Sequence, residues 1–331
     1  MQIKKKAVIV KDSAGFPNYM TMFYMTPEER QGDPENAPDM FRIGGKVRLA
    51  VLISQYTNAM INGIPVSLPY QMPVENTNFN TAIEACERKG ENWHLLTNAE
   101  WNYLTDEADR LGHTIGGNTQ CGSDADHPEQ KGLKYDPYRV LTGTEPMEWS
   151  HDGTAEGVFG LKGNFWEFVA GLRTVYGWIE YIPDNDAAIC DLRPGAPTWK
   201  AVTHEGKRLK LIAEDEVVKL TAEKIEVSDD WAGCHMSEVK LEGLEEVPEI
   251  IYRLGILPRD WKERKDGIFV DSGIEEAVPY RGSSFNSTSN GGPAALNLNR
   301  PRSSSYYSLS FRSALWLDDW KLITEILDRN A

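Results

Sequence analysis

Cysteine is scarce in this chain. Its four copies, Cys86, Cys121, Cys190 and Cys234, lie far apart, with no CxxC pair and no matching histidine spacing. That argues against a zinc site and reads as separate buried thiols, with a disulfide left open. Long hydrophobic runs are missing too, so no segment is expected to span or anchor in a membrane. The start, MQIKKKAVIVKDSAG, is basic, but its apolar run is too short for a secretory signal. Release from a cell would then need lysis or transport inside an assembled particle. Positive charge is in deficit: 35 Lys and Arg face 50 Asp and Glu, a formal net charge of −15. A nucleic-acid partner needs a basic footprint and is therefore not expected. No fixed-period repeat, phosphate-cradling glycine loop or Ser/His/Asp constellation can be argued.

A second absence is local. From Arg281 to Arg312 the chain reads RGSSFNSTSNGGPAALNLNRPRSSSYYSLSFR. Asp, Glu, Lys, Gln, Met, Trp, Cys and His all vanish here. What remains is Ser, Asn, Tyr, Gly, Thr and a few apolar residues, with Arg as the only charge. Tyr supplies contact area at low entropic cost, and Ser, Gly and Asn supply adaptable hydrogen bonds, which is the chemistry of a paratope. A flexible Ser/Asn-rich loop is the plainer reading of such composition. Against it, AALNLN and SLSF alternate apolar and polar residues like half-buried strands.

At 331 residues the chain can bury a large core without covalent staples. Residues 1–40 are polar and turn-rich, and MTPEERQGDPENAPDM reads as a surface arm or linker. Strands are expected over Val47–Ile53 and Ile64–Leu68, with a turn at Asn62-Gly63. Phe79 to Arg88 has helical spacing, and Thr97-Asn98-Ala99-Glu100 is a capping box opening a helix that ends near Gly112. Ala201 to Val227 alternates charged and apolar residues and reads as an exposed hairpin. The tail WLDDWKLITEIL reads as an amphipathic helix.

Three segments together resemble one family. HLLTNAEWNYL is similar to the helix-opening motif of the formylglycine-generating-enzyme-like branch of the C-type lectin fold. GVFGLKGNFWEFVAG is similar to its GNVWEWV signature, with Gly163, Asn164, Phe165, Trp166 and Glu167 as the most specific piece. RGSSF and SFRSAL resemble its closing RGGSW and GFR signature. The resemblance runs from about Phe41 to Leu317, which implies an α+β C-type lectin-like domain over 41–331 after an arm at 1–40. Within that branch, residues 281–312 resemble the variable region of proteins diversified by retroelements, through Ala295 to Asn299 and Arg302-Ser303. Ser283, Phe285 and Ser310 depart from the family's Gly, Trp and Gly.

The resemblance implies a non-catalytic receptor-binding protein of a phage or prophage tail, found in the virion or in the cytoplasm before release. Its partner would be a protein or glycan receptor on a cell surface, with no cofactor. Randomised adenines in Asn codons yield Ser, Arg, Tyr and Phe but never Lys, Glu, Gln, Met or Trp, matching the composition of the segment. Ser284, Phe285, Ser287, Ser289, Asn299, Arg300, Ser305, Tyr306, Tyr307 and Ser308 are the candidate contacts. Tyr306 and Tyr307 lead, the alternative being one buried and one exposed. Phe285 reads either as the frame aromatic or as a contact, and Asn297 and Asn299 share a strand face as contacts or structural groups. Arg281, Arg302 and Arg312 are expected to pair with scaffold acids, and Leu296, Leu298 and Phe311 to hold the frame. Trp101 and Trp166 are expected in one core with Phe311, and Glu167 to anchor a backbone turn. Two other readings remain: an oxidase or hydrolase on the same fold, and a structural tail component. The copper enzymes of the family use a Cys pair near the C-terminus, and no cysteine follows Cys234. The iron-dependent relatives use a His-x3-His-x-Glu cluster, whereas His94, His113, His127, His151, His204 and His235 stand singly.

Overall fold

The short runs of alternating apolar residues pair into sheets, and the long helical periods stay few. A computed structural model describes residues 2–223 and 231–330. It is a mixed α+β chain, mostly sheet. The first sheet runs Lys4–Lys11, Pro17–Tyr24, Ala50–Ser54, Ser313–Leu317 and Trp93–Leu95, all antiparallel. The helix Asn98–Leu111 packs on it through Trp101, Leu104 and Ala108. Its capping box forms: the Glu100 amide donates to Thr97 Oγ1 at 3.1 Å and Thr97 N–H to Glu100 Oε2 at 2.9 Å. Gly112 ends the helix in the left-handed region at φ 66°. The tail helix Trp320–Arg329 buries Ile323 and Ile326 in the same core.

The expected N-terminal arm is corrected. Residues 4–24 form two strands of this first sheet, and only 27–36 remain a polar surface segment with a one-turn helix, Pro27–Gly32. KKKAVIVK hid its strand because it lies at a sheet edge, where lysines blunt pairing with other chains. Those lysines find acids brought from elsewhere: Lys4 meets Glu29, Lys5 meets Asp152 and Lys6 meets Glu156. The Asn62-Gly63 turn is as expected, with both residues at positive φ (51° and 77°) between Ala59–Ile61 and Ile64–Val66.

The exposed hairpin is also corrected, as far as it is described; residues 224–227 of it lie outside the described residues. Lys210–Glu214 and Val217–Thr221 pair inside a second sheet with Leu172–Val175, Trp178–Tyr181 and Lys240–Glu242. Leu211, Ala213, Val218 and Leu220 are buried against Ile268, Val270, Leu296 and Leu298. Charged residues at every other position read as solvent-facing, while the intervening apolar ones meet a sheet contributed by distant sequence.

The third sheet carries the C-terminal segment. Its order is Trp231–His235, Gly267–Asp271, Leu296–Leu298, Tyr280–Arg281, Trp166–Phe168 and Leu309–Phe311. Successive residues of a strand face opposite sides. Ala232, Ile268, Val270, Leu296 and Leu298 therefore share the face that enters the second core. Trp231, Phe269, Asn297, Tyr280 and Trp166 follow the register on the other face. Trp101, Trp166 and Phe311 do not share one core. Trp101 belongs to the first, Phe311 joins Phe79, Phe168 and Leu309, and Trp166 is half-buried at the border of that group. The fully buried aromatic of the GNFWE motif is Phe165, one residue earlier.

Glu167 holds no backbone turn. It makes an ion pair with Arg312, both side chains wholly buried, with Arg312 Nε 2.7 Å from Glu167 Oε2. Breaking a buried pair leaves an uncompensated charge, so Glu167→Ala is expected to cost about 3–5 kcal/mol in urea denaturation.

A second buried pair gives a pH signature. His94 Nδ1 lies 3.0 Å from the Asn92 carbonyl and Nε2 2.8 Å from Glu100 Oε1. Two oxygens flank the ring nitrogens, an arrangement that favours the protonated imidazole. Burial opposes that charge, but the Glu100 carboxylate and the Asn92 carbonyl outweigh it and raise the His94 pKa. The folded value lies above the unfolded one, so the contribution is complete below about pH 6.5 and lost as pH rises through the folded value. Stability of the native chain should fall over that rise, and His94→Gln should flatten the slope, as read by denaturation at stepped pH.

Candidate functional site

Between Gly282 and Gly292 the chain makes a turn held by its own hydroxyls. Ser284 N–H donates to Ser287 Oγ at 3.0 Å, Ser284 Oγ to Asn286 Oδ1 at 2.9 Å, and Ser287 N–H to the Ser284 carbonyl at 3.1 Å. Ser284 is buried and Ser287 half-buried, so both serve the turn they sit in. Phe285 is buried as well, stacked on Tyr138 (centroids 5.4 Å apart) and tilted against Tyr307 at 6.0 Å. It occupies the frame position rather than offering a free contact. Asn299 is buried, and its N–H donates to Asn297 Oδ1 at 3.0 Å.

The remaining candidates stand outward. Ser289, Arg300, Ser305, Tyr306 and Tyr307 are exposed and Ser308 is half-buried. Tyr306 keeps 38% and Tyr307 55% of its surface open, so neither is core. Their backbone is nonetheless fixed: the Tyr306 carbonyl accepts from Asn76 N–H at 3.0 Å and the Tyr307 carbonyl from Arg139 Nη1 at 2.8 Å. The Arg300 guanidinium lies 5.5 Å from the Tyr306 ring centre, a cation–π distance. Asn286, Thr288, Asn290 and Ser303 are exposed in the same segment and were not singled out from sequence.

The three arginines differ. Arg312 pairs with Glu167, and Arg302 with Glu276, its Nη2 2.8 Å from Oε1. Among the described residues, Arg281 meets no carboxylate. Its guanidinium donates to Asn98 Oδ1 at 2.7 and 3.1 Å and to the carbonyls of Leu254 and Gly255. Burial lowers its pKa, but a guanidinium stays charged, so neutral oxygens carry this cation. Trp101 Nε1 donates to the Pro293 carbonyl at 2.9 Å, and the Ala294 N–H to Asp266 Oδ1 at 3.0 Å. Asp266 is buried, and burial raises its pKa.

Two clefts touch the segment. The larger, about 1100 Å³, reaches it through Arg281, Ser289 and Gly291–Ala294. Several of its charges neutralise one another: Arg264 with Asp109 at 2.8 Å, and Lys162 with Asp126 at 3.1 Å. The Asp106 carboxyl in the same cleft is pushed up to about 6, first by burial and then by Asp109. The smaller cleft, about 380 Å³, opens on the face that carries Asn297 and Asn299. Trp166, Trp231 and Phe269 supply its aromatic surface, and the turn from Ser284 to Asn290 supplies hydroxyls and amides. Trp231 and Phe269 were missed from sequence because they lie outside 281–312 and reach the segment only through strand pairing. Among the described residues, no group of three or more His, Cys, Asp or Glu could hold a metal ion, and no helix is long and apolar enough to cross a membrane.

Comparison with known proteins leaves the site to be read from its own geometry. No family model matches the chain, and no curated protein matches it. Among solved structures the chain is similar to PvdO from Pseudomonas aeruginosa, at 15% identity and a TM-score of 0.36, covering 95% of this chain and 100% of that one. A likeness of that size carries no argument about activity or ligand.

Ser283 sits in the left-handed region at φ 72°, and its buried hydroxyl has no hydrogen-bond partner among the described residues. A non-glycine residue costs about 1–2 kcal/mol in that conformation. Ser283→Gly should therefore raise stability by about 1 kcal/mol, read as a higher urea midpoint at unchanged slope.

Proposed function

We propose that this chain is a non-catalytic binding protein with the C-type lectin fold of the formylglycine-generating-enzyme-like branch. Its residues 281–312 form a surface diversified by a retroelement, presented as in a phage or prophage tail receptor-binding protein. The receptor is a protein or glycan on a cell surface, and the chain reaches it as part of a virion.

One observation carries the reading: the segment divides into a buried frame and an exposed set. Arg281, Leu296, Leu298, Phe311 and Arg312 are buried, while Ser289, Arg300, Ser305, Tyr306 and Tyr307 are open. Side chains that neither pack nor hold the backbone can be exchanged without altering the fold, as a diversified surface requires. The absence of a titratable side chain among the described residues lining the smaller cleft supports binding over acid–base chemistry there.

The double variant Tyr306→Ser, Tyr307→Ser tests this. Exposed substitutions stay within about ±0.5 kcal/mol, so its melting curve should nearly overlay that of the native chain. Binding to intact host cells should be lost, since aromatic anchors at an interface supply about 2 kcal/mol or more each. A large drop in stability would place the tyrosines in the frame and end the paratope reading. Unchanged cell binding would do the same. Diversification itself is checked in the neighbouring DNA, where a near-copy of segment 281–312 should accompany a reverse-transcriptase gene.

A further inference from the structure

The smaller cleft has an unusual chemistry for so acidic a chain. The formal charge is −15, yet every described residue lining the cleft is uncharged. Among the described residues it presents no cation to pair with a phosphate, sulfate or sugar acid and no carboxylate to hold calcium. What it offers is aromatic faces and primary amides.

The aromatic part belongs to the frame. Trp231 keeps 56% of its surface exposed on the strand next to Phe269. Phe269 lies across two glycines: a Cβ built on Gly233 would fall 2.5 Å from its Cδ1, and one on Gly267 2.7 Å from its Cε2. The ring is thus seated by strand pairing, independently of what the variable turn carries. Trp166 stands edge-on to it, with centroids 6.1 Å apart. Part of the polar lining is fixed as well. Asn297 and Asn299 alternate with buried Leu296 and Leu298, and the Asn299 Oδ1 is buried with no hydrogen-bond partner among the described residues. A buried acceptor in this state calls for a donor from outside.

A pyranose ring matches both halves. Its axial C–H groups form an apolar face that suits the negative face of an aromatic ring. Its equatorial hydroxyls both donate and accept, as primary amides do. The volume, about 380 Å³, lies at the small end of ligand clefts, the scale of one or two rings rather than a chain. We propose that this cleft is a calcium-independent subsite for a neutral pyranose unit of a cell-surface glycan, with its aromatic wall outside the variable segment and its polar rim inside it. The inference rests on the binding-protein reading and names the constant part of its ligand; the variable residues around the rim would then select what is attached to that ring.

The test titrates the full chain, in EDTA, with methyl glycosides of neutral hexoses and N-acetylhexosamines, alongside a uronic acid and a sialic acid. Tryptophan fluorescence and saturation-transfer NMR are the readouts. At least one neutral glycoside should give a saturable change, with transfer strongest to its axial C–H protons. Trp231→Ala and Asn299→Ala should each weaken it about tenfold or more, with melting curves recorded to show that each variant is folded. The assignment is overturned if no neutral glycoside binds, if only the acidic sugars bind, if EDTA removes binding, or if folded Trp231→Ala binds as the native chain does. It is also overturned if the receptor proves to be a peptide whose binding Trp231→Ala abolishes. Failure here is separable from failure of the broader reading: cell binding that depends on Tyr306 and Tyr307 with no response to any sugar sinks only the subsite.

Discussion

Arg312 is the residue on which the rest of the structure converges. It lies between Leu309–Phe311, a strand of the third sheet, and Ser313–Leu317, a strand of the first. Its Nε reaches Glu167 on the motif strand, its Nη1 the Ser54 carbonyl in the first sheet, and its Nη2 the Phe159 carbonyl at 2.9 Å. Thr57 Oγ1 adds a further bond to Glu167 Oε1 at 2.9 Å. Taking both charges out of water costs several kcal/mol per ion, which only such complete pairing offsets. The arrangement is strict because each partner comes from a different part of the chain.

That constraint makes a changeable surface possible. The segment before Arg312 is tied by its backbone and its inward residues: Arg281 to Asn98, Ala294 to Asp266, Leu296 and Leu298 to the second core, Arg302 to Glu276. Each tie uses a group that faces inward or belongs to the main chain. Tyr306 and Tyr307 show the separation most clearly, since their carbonyls are held by Asn76 and Arg139 while their rings remain open. Specificity can then vary without a matching change in stability, because the two depend on different atoms.

Charge follows the same division. Acidic residues and their basic partners crowd the larger cleft and the outer strands, whereas the described residues lining the smaller cleft are uncharged. A ligand seated in such a hollow would be selected by hydrogen-bond geometry and shape rather than by long-range attraction. Gly233 and Gly267 contribute by what they lack, since a Cβ at either position would force the Phe269 ring to shift.

Local chemistry was legible in the amino-acid order. The Thr97–Glu100 capping box, the Asn62-Gly63 turn and the inward Leu296 and Leu298 follow from contacts within a few residues and are found where the pattern puts them, while the tail helix starts at Trp320, later than WLDDWKLITEIL suggests, because Trp316 and Leu317 end a strand of the first sheet. The exposure of Tyr306 and Tyr307 was legible for the same reason, as nothing apolar neighbours them in the chain. Long-range pairing was not. KKKAVIVK reads as a loose end until the strand Pro17–Tyr24 pairs with it, and Lys210–Thr221 reads as exposed until Ile268 and Leu296 cover it. Ser284 reads as a contact, and Phe285 and Asn299 as either contact or frame, because composition cannot tell a hydroxyl that closes a turn, or a ring stacked on Tyr138, from one left open. Trp231 and Phe269 join the site only through sheet register, a property of two strands and of neither sequence alone.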